Sequence, residues 1–306
     1  MKEELELLRK KARGKLLLGT AMVALFAIAG LCWGIYIVLR SDGSTVMNIL
    51  VPLALLLMVG IFAAAVFVTF VYVPVLRDYE TAYHQKVVES ALTELDQIAY
   101  YPNRGMRHSF LEETQMIKAG NRYLCSDYIA GNYHGVLLSQ NYAAILQQHR
   151  KKKRWITDAV YLRGRWTRLK AGAVSDGTVY VFAKKEHDVP ADAVLYDHRG
   201  ALKGATRMKT GDAAFDQEFQ TFATAEEALR LLDDEMRAQI TALAEGLSGK
   251  LILCFEPEAT HLVMVGAGAI LGGGVFLPVE EEPAKAVRGE FDLLERFADE
   301  IIKRQR

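Results

Sequence analysis

Between Arg150 and Lys170 the chain places nine basic residues and a single acid, Asp158, with Trp155 and Trp166 among them. Residues of this type hold anions. Each Lys or Arg near an anionic membrane surface contributes about 1 kcal/mol of attraction, and Trp suits a boundary that is apolar on one side and wet on the other. The candidate patch comprises Arg150, Lys151, Lys152, Lys153, Arg154, Arg163, Arg165 and Arg168. On a strand, Arg163 and Arg165 project from the same face and share that patch. A solvated inter-strand loop beside an ordinary polar strand face accounts for the same residues without any ligand. Setting aside eight basic and four acidic residues up to Arg77 leaves 29 basic against 33 acidic residues, so the remainder is mildly acidic. Anionic lipid or an acidic partner therefore fits the patch better than RNA, and no nucleic acid is expected.

A second candidate is the glycine-rich stretch containing Gly266, Gly268, Gly272, Gly273 and Gly274. A dinucleotide fingerprint follows a strand and opens a helix, but here its third glycine would fall at Leu271, and residues 275–279 continue as an apolar run through Pro278. The stretch reads instead as a flexible loop, a candidate lip over a ligand. The seven histidines and the three cysteines, Cys32, Cys125 and Cys254, show neither an H-E-x-x-H pair nor zinc spacing, so no metal and no cofactor is expected. Odd and widely spaced, the cysteines are no disulfide framework, which agrees with a reducing cytosol. Gly246-Leu247-Ser248-Gly249 is one residue short of a nucleophile elbow and follows a helix rather than a strand. No catalytic residue is assigned. An enzyme reading requires the glycine-rich loop to cover a pocket with ionisable groups such as Asp127, His134 and His261.

The elements that must position these groups begin with two uncharged stretches, about 16–39 and 46–73, each longer than the roughly 20 apolar residues that cross a bilayer. Lys2, Arg9, Lys10, Lys11, Arg13 and Lys15 precede the first, whereas the 40–45 loop carries Arg40 alone, which predicts both termini on the cytosolic side. Neither span holds an ionisable residue that would mark a transport path. Gly30 with Gly34, and Gly60 with Ala64, suit close packing of the two helices of one hairpin. The expected organisation is a tail and transmembrane hairpin over 1–77, then one cytosolic domain over 78–306.

In that domain Tyr79, Tyr83, Ala91 and Leu95 predict an amphipathic helix that turns near Pro74 and runs to about Ile98. Runs at 122–129, 135–142, 158–169, 178–183 and 193–197 predict strands. Thr224-Ala225-Glu226-Glu227 reads as a capping box opening a helix to Gly246, 250–256 and 260–265 as a hairpin, and Phe291, Leu294, Phe297 and Ile301 as a C-terminal helix. The fold class is α+β: a two-helix transmembrane hairpin followed by an antiparallel-sheet domain with flanking helices.

Three segments stand in a telling order after the two spans: Ser126-Asp127-Tyr128-Ile129-Ala130-Gly131-Asn132-Tyr133-His134-Gly135, then Tyr161-Leu162-Arg163-Gly164-Arg165-Trp166, then Phe215-Asp216-Gln217-Glu218-Phe219 before a helix. Over most of residues 70–302 this resembles the bacterial domain-of-unknown-function family 3137, with Tyr161 and Trp166 where phenylalanines are usual. The resemblance implies a multi-pass protein of the bacterial cytoplasmic (inner) membrane and, as a candidate partner, a LemA-like membrane protein; it implies no activity. The functional expectation is a membrane-anchored binding or scaffold module. A membrane-associated enzyme and an accessory subunit of a larger membrane complex are the alternatives.

Overall fold

The computed structural model describes residues 2–40, 47–93, 95–172, 174–184, 202–268, 275–279 and 282–305, so the expected strand at 193–197, most of the 40–45 loop, and Gly272, Gly273 and Gly274 lie outside the described residues. The chain divides into two compact units, residues 1–86 with 273–283, and residues 87–272 with 284–306.

The first unit is built on α1 (Lys2–Arg40) and α2 (Met47–Phe67), followed through a π-turn at Val68–Tyr72 by α3 (Val73–Ala91). Two helical stretches, Lys2–Tyr36 and Leu57–Ala91, are long and apolar enough to cross a membrane. Large apolar side chains along them, including Phe26, Trp33, Ile61 and Phe62, are exposed. A Cβ on Gly19 would come within 2.3 Å of the Phe67 ring, so the two helices approach closely there, whereas Gly60 faces open space. The basic N-terminal tail is itself helical. Leu5, Ala12 and Leu16 recur on one side and are buried, as are Tyr79 and Tyr83 of α3, and Lys86 Nζ reaches Glu4 Oε2 at 2.9 Å. Pro74 does not turn the chain. Proline lacks an N–H and its ring collides with the carbonyl four residues back, and the wider π-turn immediately before it absorbs that misfit, so the helix continues. The expected boundary at Arg77 thus falls inside α3, which ends at Ala91 rather than near Ile98. Beyond it Ile98, Tyr100 and Tyr101 enter a strand, where aromatic and β-branched side chains pack better.

The second unit is α+β, a nine-stranded antiparallel sheet with helices. In chain order it contains β1 (Asp96–Tyr101), α4 (His108–Thr114), β2 (Arg122–Tyr133), β3 (Val136–Lys151), β4 (Arg154–Lys170) and β5 (Val179–Ala183). There follow β6 (Thr206–Met208), α5 (Ala213–Glu218), β7 (Phe219–Ala223), α6 (Asp234–Gly246), β8 (Lys250–Phe255), β9 (Ala259–Val265) and α7 (Lys285–Lys303). The strand order is β1-β2-β3-β4-β9-β8-β5-β7-β6. One local reading is corrected. The Thr224 box does not open the long helix: Thr224 Oγ1 instead accepts the Thr178 N–H at 3.1 Å, and residues 227–231 form a 3₁₀ turn. Asp233 caps α6 by accepting the Met236 N–H at 2.9 Å and ties down Arg304, just beyond the end of α7, at 2.6 Å. Phe215 lies on α5 and stacks on Phe219 at 4.5 Å.

Both faces of the sheet are covered, which is why the central strands read as nearly continuous apolar runs. On one face Met236, Ile240 and Leu243 of α6 and Phe291, Leu294, Phe297 and Ile301 of α7 are buried, with Phe297 6.1 Å from Phe255 of β8. On the other, α4 and its flanks supply Met106, Leu111, Met116 and Ile117 to a core with Trp166, Tyr180, Phe182, Ile252 and Val263. β4 and β9 meet so closely that a Cβ on Gly164 would lie 2.0 Å from the Met264 carbonyl oxygen. Backbone on both sides cannot yield as a side chain would. Gly164→Ala is therefore expected to destabilise the protein by roughly 1–3 kcal/mol, in line with overpacked cores; thermal unfolding in detergent checks this, and an unchanged midpoint would contradict the close β4–β9 contact.

Candidate functional site

The basic run between Arg150 and Lys170 is divided by strand geometry into three places. Lys151 pairs with Arg154, so Lys152 and Lys153 form a two-residue hairpin turn, with Lys152 in the left-handed region at φ +56°. β2 pairs with β3 only as far as Leu146, and β9 pairs with β4 only from Gly164. The distal parts of β3 and β4 therefore pair with each other alone, as a two-stranded ribbon. Its tip carries Arg150, Lys151, Lys152, Lys153 and Arg154, all exposed, beside Trp155 at 60% exposure. Behind the tip His149 Nδ1 meets the Asp158 carboxylate at 2.8 Å.

Arg163 and Arg165 do share a face, but only Arg163 is exposed. Arg165 is buried under α7, its Nη2 2.9 Å from Glu290 Oε2 and 3.3 Å from Ser248 Oγ, while Nη1 donates to the Gly268 carbonyl at 3.2 Å. It belongs to the core and not to a surface patch. Gln140 Nε2 donates to the other Glu290 oxygen at 2.6 Å. Burial pushes the Glu290 carboxyl upward, with Arg165 and Gln140 pulling it back.

Arg168 has the opposite strand parity and faces the α4 side. In register across the sheet lie Ser139, Arg168, His261, Cys254 and Tyr180, one row of opposed residues on one face. At the β3–β4 end of that row is a cleft of about 400 Å³ lined by Arg104, Arg107, Arg168 and Lys170, with Tyr101, Phe110 and Tyr128 as aromatic walls. Arg168 stacks over Phe110 at 4.4 Å and Arg104 over Tyr101 at 5.0 Å. The 102–107 turn that delivers Arg104 and Arg107 is pinned to the sheet: the Met106 N–H donates to Asn141 Oδ1 at 3.3 Å, and Tyr123 Oη donates to the Met106 carbonyl at 3.1 Å. Gly105 permits that approach, since a Cβ there would sit 2.5 Å from Cys125 Cβ. Arg104 and Arg107 were not legible as site residues. The only signal was two arginines flanking a glycine in a turn, some sixty positions before the Arg168 they join.

The ionisable groups considered for an enzyme are each engaged elsewhere. Asp127 sits at a bulge of β2 (φ +55°), accepting from Tyr100 Oη at 2.9 Å and Ser126 Oγ at 2.8 Å. His134 lies at the β2–β3 turn, 3.9 Å from Asp299. His261 is buried, its Nδ1 accepting from Trp166 Nε1 at 3.2 Å and its Nε2 3.4 Å from Glu256 Oε2, while Glu256 also pairs with Lys203. Of the glycine-rich stretch, Gly266 and Gly268 are described and follow directly on β9. Strand β9 runs through Ala259–Val265, so the apolar run leading into this stretch is sheet. Among the described residues no group of histidine, cysteine and carboxylate side chains is arranged to hold a metal ion.

No family model matches this chain. No curated protein matches it either. Among solved structures, the crystal structure of the mycobacterial trehalose monomycolate transport factor A, TtfA, is similar over 71% of this chain and 95% of that one, at 14% identity and a TM-score of 0.36. A likeness this weak carries no argument about function.

The Trp166–His261–Glu256–Lys203 chain, buried at its Trp166 and His261 end, has a consequence for pH. Burial alone would raise the Glu256 carboxyl, but the hydrogen bonds and charges of His261 and Lys203 outweigh it and bring it down to about 2. Burial pushes the His261 imidazole down, with Glu256 offsetting only part of that. Both shifts act in one direction. Below about pH 6.5 the unfolded chain takes up the His261 proton before the folded one does, and between about pH 4.5 and 2 it does so at Glu256, so stability falls with acidification through both windows. Glu256→Gln is expected to cost about 2–3 kcal/mol at pH 7 and to remove the lower-pH part of that dependence. Unfolding midpoints measured from pH 7 to pH 3 check this; a variant profile parallel to the parent's would refute the assignment.

Proposed function

We propose that the protein is a binding or scaffold module anchored in a bacterial cytoplasmic membrane by α1 and α2, with both termini cytosolic, and that the β3–β4 ribbon tip contacts anionic lipid headgroups. The observation that carries the lipid contact is the tip itself. Five consecutive cations and a 60%-exposed Trp155 stand at the end of a ribbon that no other strand flanks. An isolated two-stranded ribbon is marginal in water, and exposed Trp beside clustered Lys and Arg is the side-chain set that settles at a headgroup layer. The anchoring reading is supported by exposed apolar side chains along two helices of sufficient length and by the six basic residues that precede position 16 against one in the 40–45 loop. The resemblance of the motif order to that of family 3137 agrees with it. An acidic protein surface is the second reading of the tip, since the same cations would serve it.

Trp166 is fully buried, so in a Trp33→Phe background quenching by brominated lipid reports on Trp155. In reconstituted vesicles quenching is expected with anionic lipid at low salt. It should weaken severalfold at about 0.5 M salt, where the screening length is a few ångströms, and when Lys151, Lys152 and Lys153 are all changed to Gln. Absence of quenching under every condition would remove the lipid contact and leave the acidic partner.

A further inference from the structure

We propose that the cleft between the 102–107 turn, α4 and strands β1–β4 binds a phosphate ester, with Arg104, Arg107, Arg168 and Lys170 as its anion-holding residues. This goes beyond the anchoring and ribbon readings and rests on different side chains.

Four cations line a cleft of about 400 Å³, a volume within the range of small-ligand pockets, and no carboxylate lines it. None of the four forms an ion pair among the described residues. Asp127, adjacent in sequence to the cleft residue Tyr128, is bonded to Tyr100 and Ser126 instead. Like charges gathered this way repel one another, and an anion between them removes that repulsion.

The aromatic rings hold the cations in place. Arg168 lies over Phe110 and Arg104 over Tyr101, contacts that leave the N–H donors free for an anion. Planar, charged forks of this kind match the oxygens of phosphate in pairs. Ser139 and Tyr128 bring hydroxyls 3.4 Å apart to the same wall. Met106 and Leu137 make part of the lining apolar, and the volume exceeds what one inorganic anion fills, so the ligand carries a carbon-bearing substituent on its phosphate. A lipid headgroup and a soluble phosphorylated metabolite share that chemistry.

The test is a titration of the full-length protein in phosphate-free maltoside micelles with glycerol phosphate and pyrophosphate at constant ionic strength. Saturable binding is expected. Arg104→Gln and Arg107→Gln, both at exposed positions that leave the core untouched, should each weaken it by about tenfold. Arg168→Gln should weaken it more, and Arg168→Lys should restore only part of the loss, because Lys keeps the charge but not the planar fork. Changing Lys151, Lys152 and Lys153 to Gln should leave it unaltered, which separates this cleft from the ribbon tip. Repeating the titration in phosphatidylglycerol nanodiscs distinguishes the sources: lost glycerol phosphate binding identifies a lipid headgroup as the occupant, and retained binding a soluble ligand. The proposal is overturned if neither phosphate compound binds better than chloride in micelles, or if binding is indifferent to the four cleft substitutions.

Discussion

The pairing of β3 with β4 is the constraint on which the rest of the second unit depends. These are its longest strands, of 16 and 17 residues, and they are closed by only two residues between Lys151 and Arg154. A turn that short fixes the register, and because side chains alternate with a period of two, a slip of one position would exchange every buried residue for a facing one. Trp166 would leave the core it shares with Tyr180 and Val263, and Arg165 would lose Glu290. The same register carries outward through β9, β8 and β5, placing His261, Cys254 and Tyr180 in one lateral row with Arg168.

Register also explains how one basic segment serves unlike environments. Arg165 and Arg168 are three positions apart and so lie on opposite faces of the sheet. Arg165 meets a carboxylate, a hydroxyl and a carbonyl beneath α7. Desolvating a guanidinium is costly unless several partners replace its water; here they do so at Nη1 and Nη2, while Nε has none. Arg168 instead lies against an aromatic ring at the rim of the α4 layer. The cluster at Arg150 to Arg154 escapes both faces because β3 and β4 outrun their neighbours.

Much of this architecture was legible in the amino-acid sequence. The β8–β9 hairpin, the stripe of Phe291, Leu294, Phe297 and Ile301, and the strands around 122–169 follow from local pattern, and local pattern is what a sequence displays. What failed was decided by partners distant in the chain. Thr224 looked like a helix cap because its neighbours fit the motif, yet its hydroxyl is claimed by the Thr178 N–H across a strand pair. Arg163 and Arg165 were correctly placed on one face, but whether α7 covers that face at position 165 and not at 163 is a tertiary fact. Pro74 signalled a turn, and a π-turn in the preceding residues dissolved the conflict. The cleft was the least visible of all, since Arg104 and Arg107 reach Arg168 only through a turn held by Asn141 and Tyr123.

The contrast between the two arginines bears on what selection of these residues requires. A fold concerned only with packing would treat its partly buried cations alike, giving each a carboxylate or replacing it with an apolar side chain of similar volume, a change that is often neutral or stabilising. Arg165 conforms to that expectation. Arg168 does not: it has no carboxylate partner among the described residues, two further arginines and a lysine share its cleft, and no acid lines that cleft. Aromatic stacking holds the guanidinium plane in place yet leaves its hydrogen-bonding capacity unspent. Stability alone gives no reason to concentrate unmatched positive charge at one end of a well-satisfied sheet, whereas an anionic ligand supplies the missing half of the arrangement.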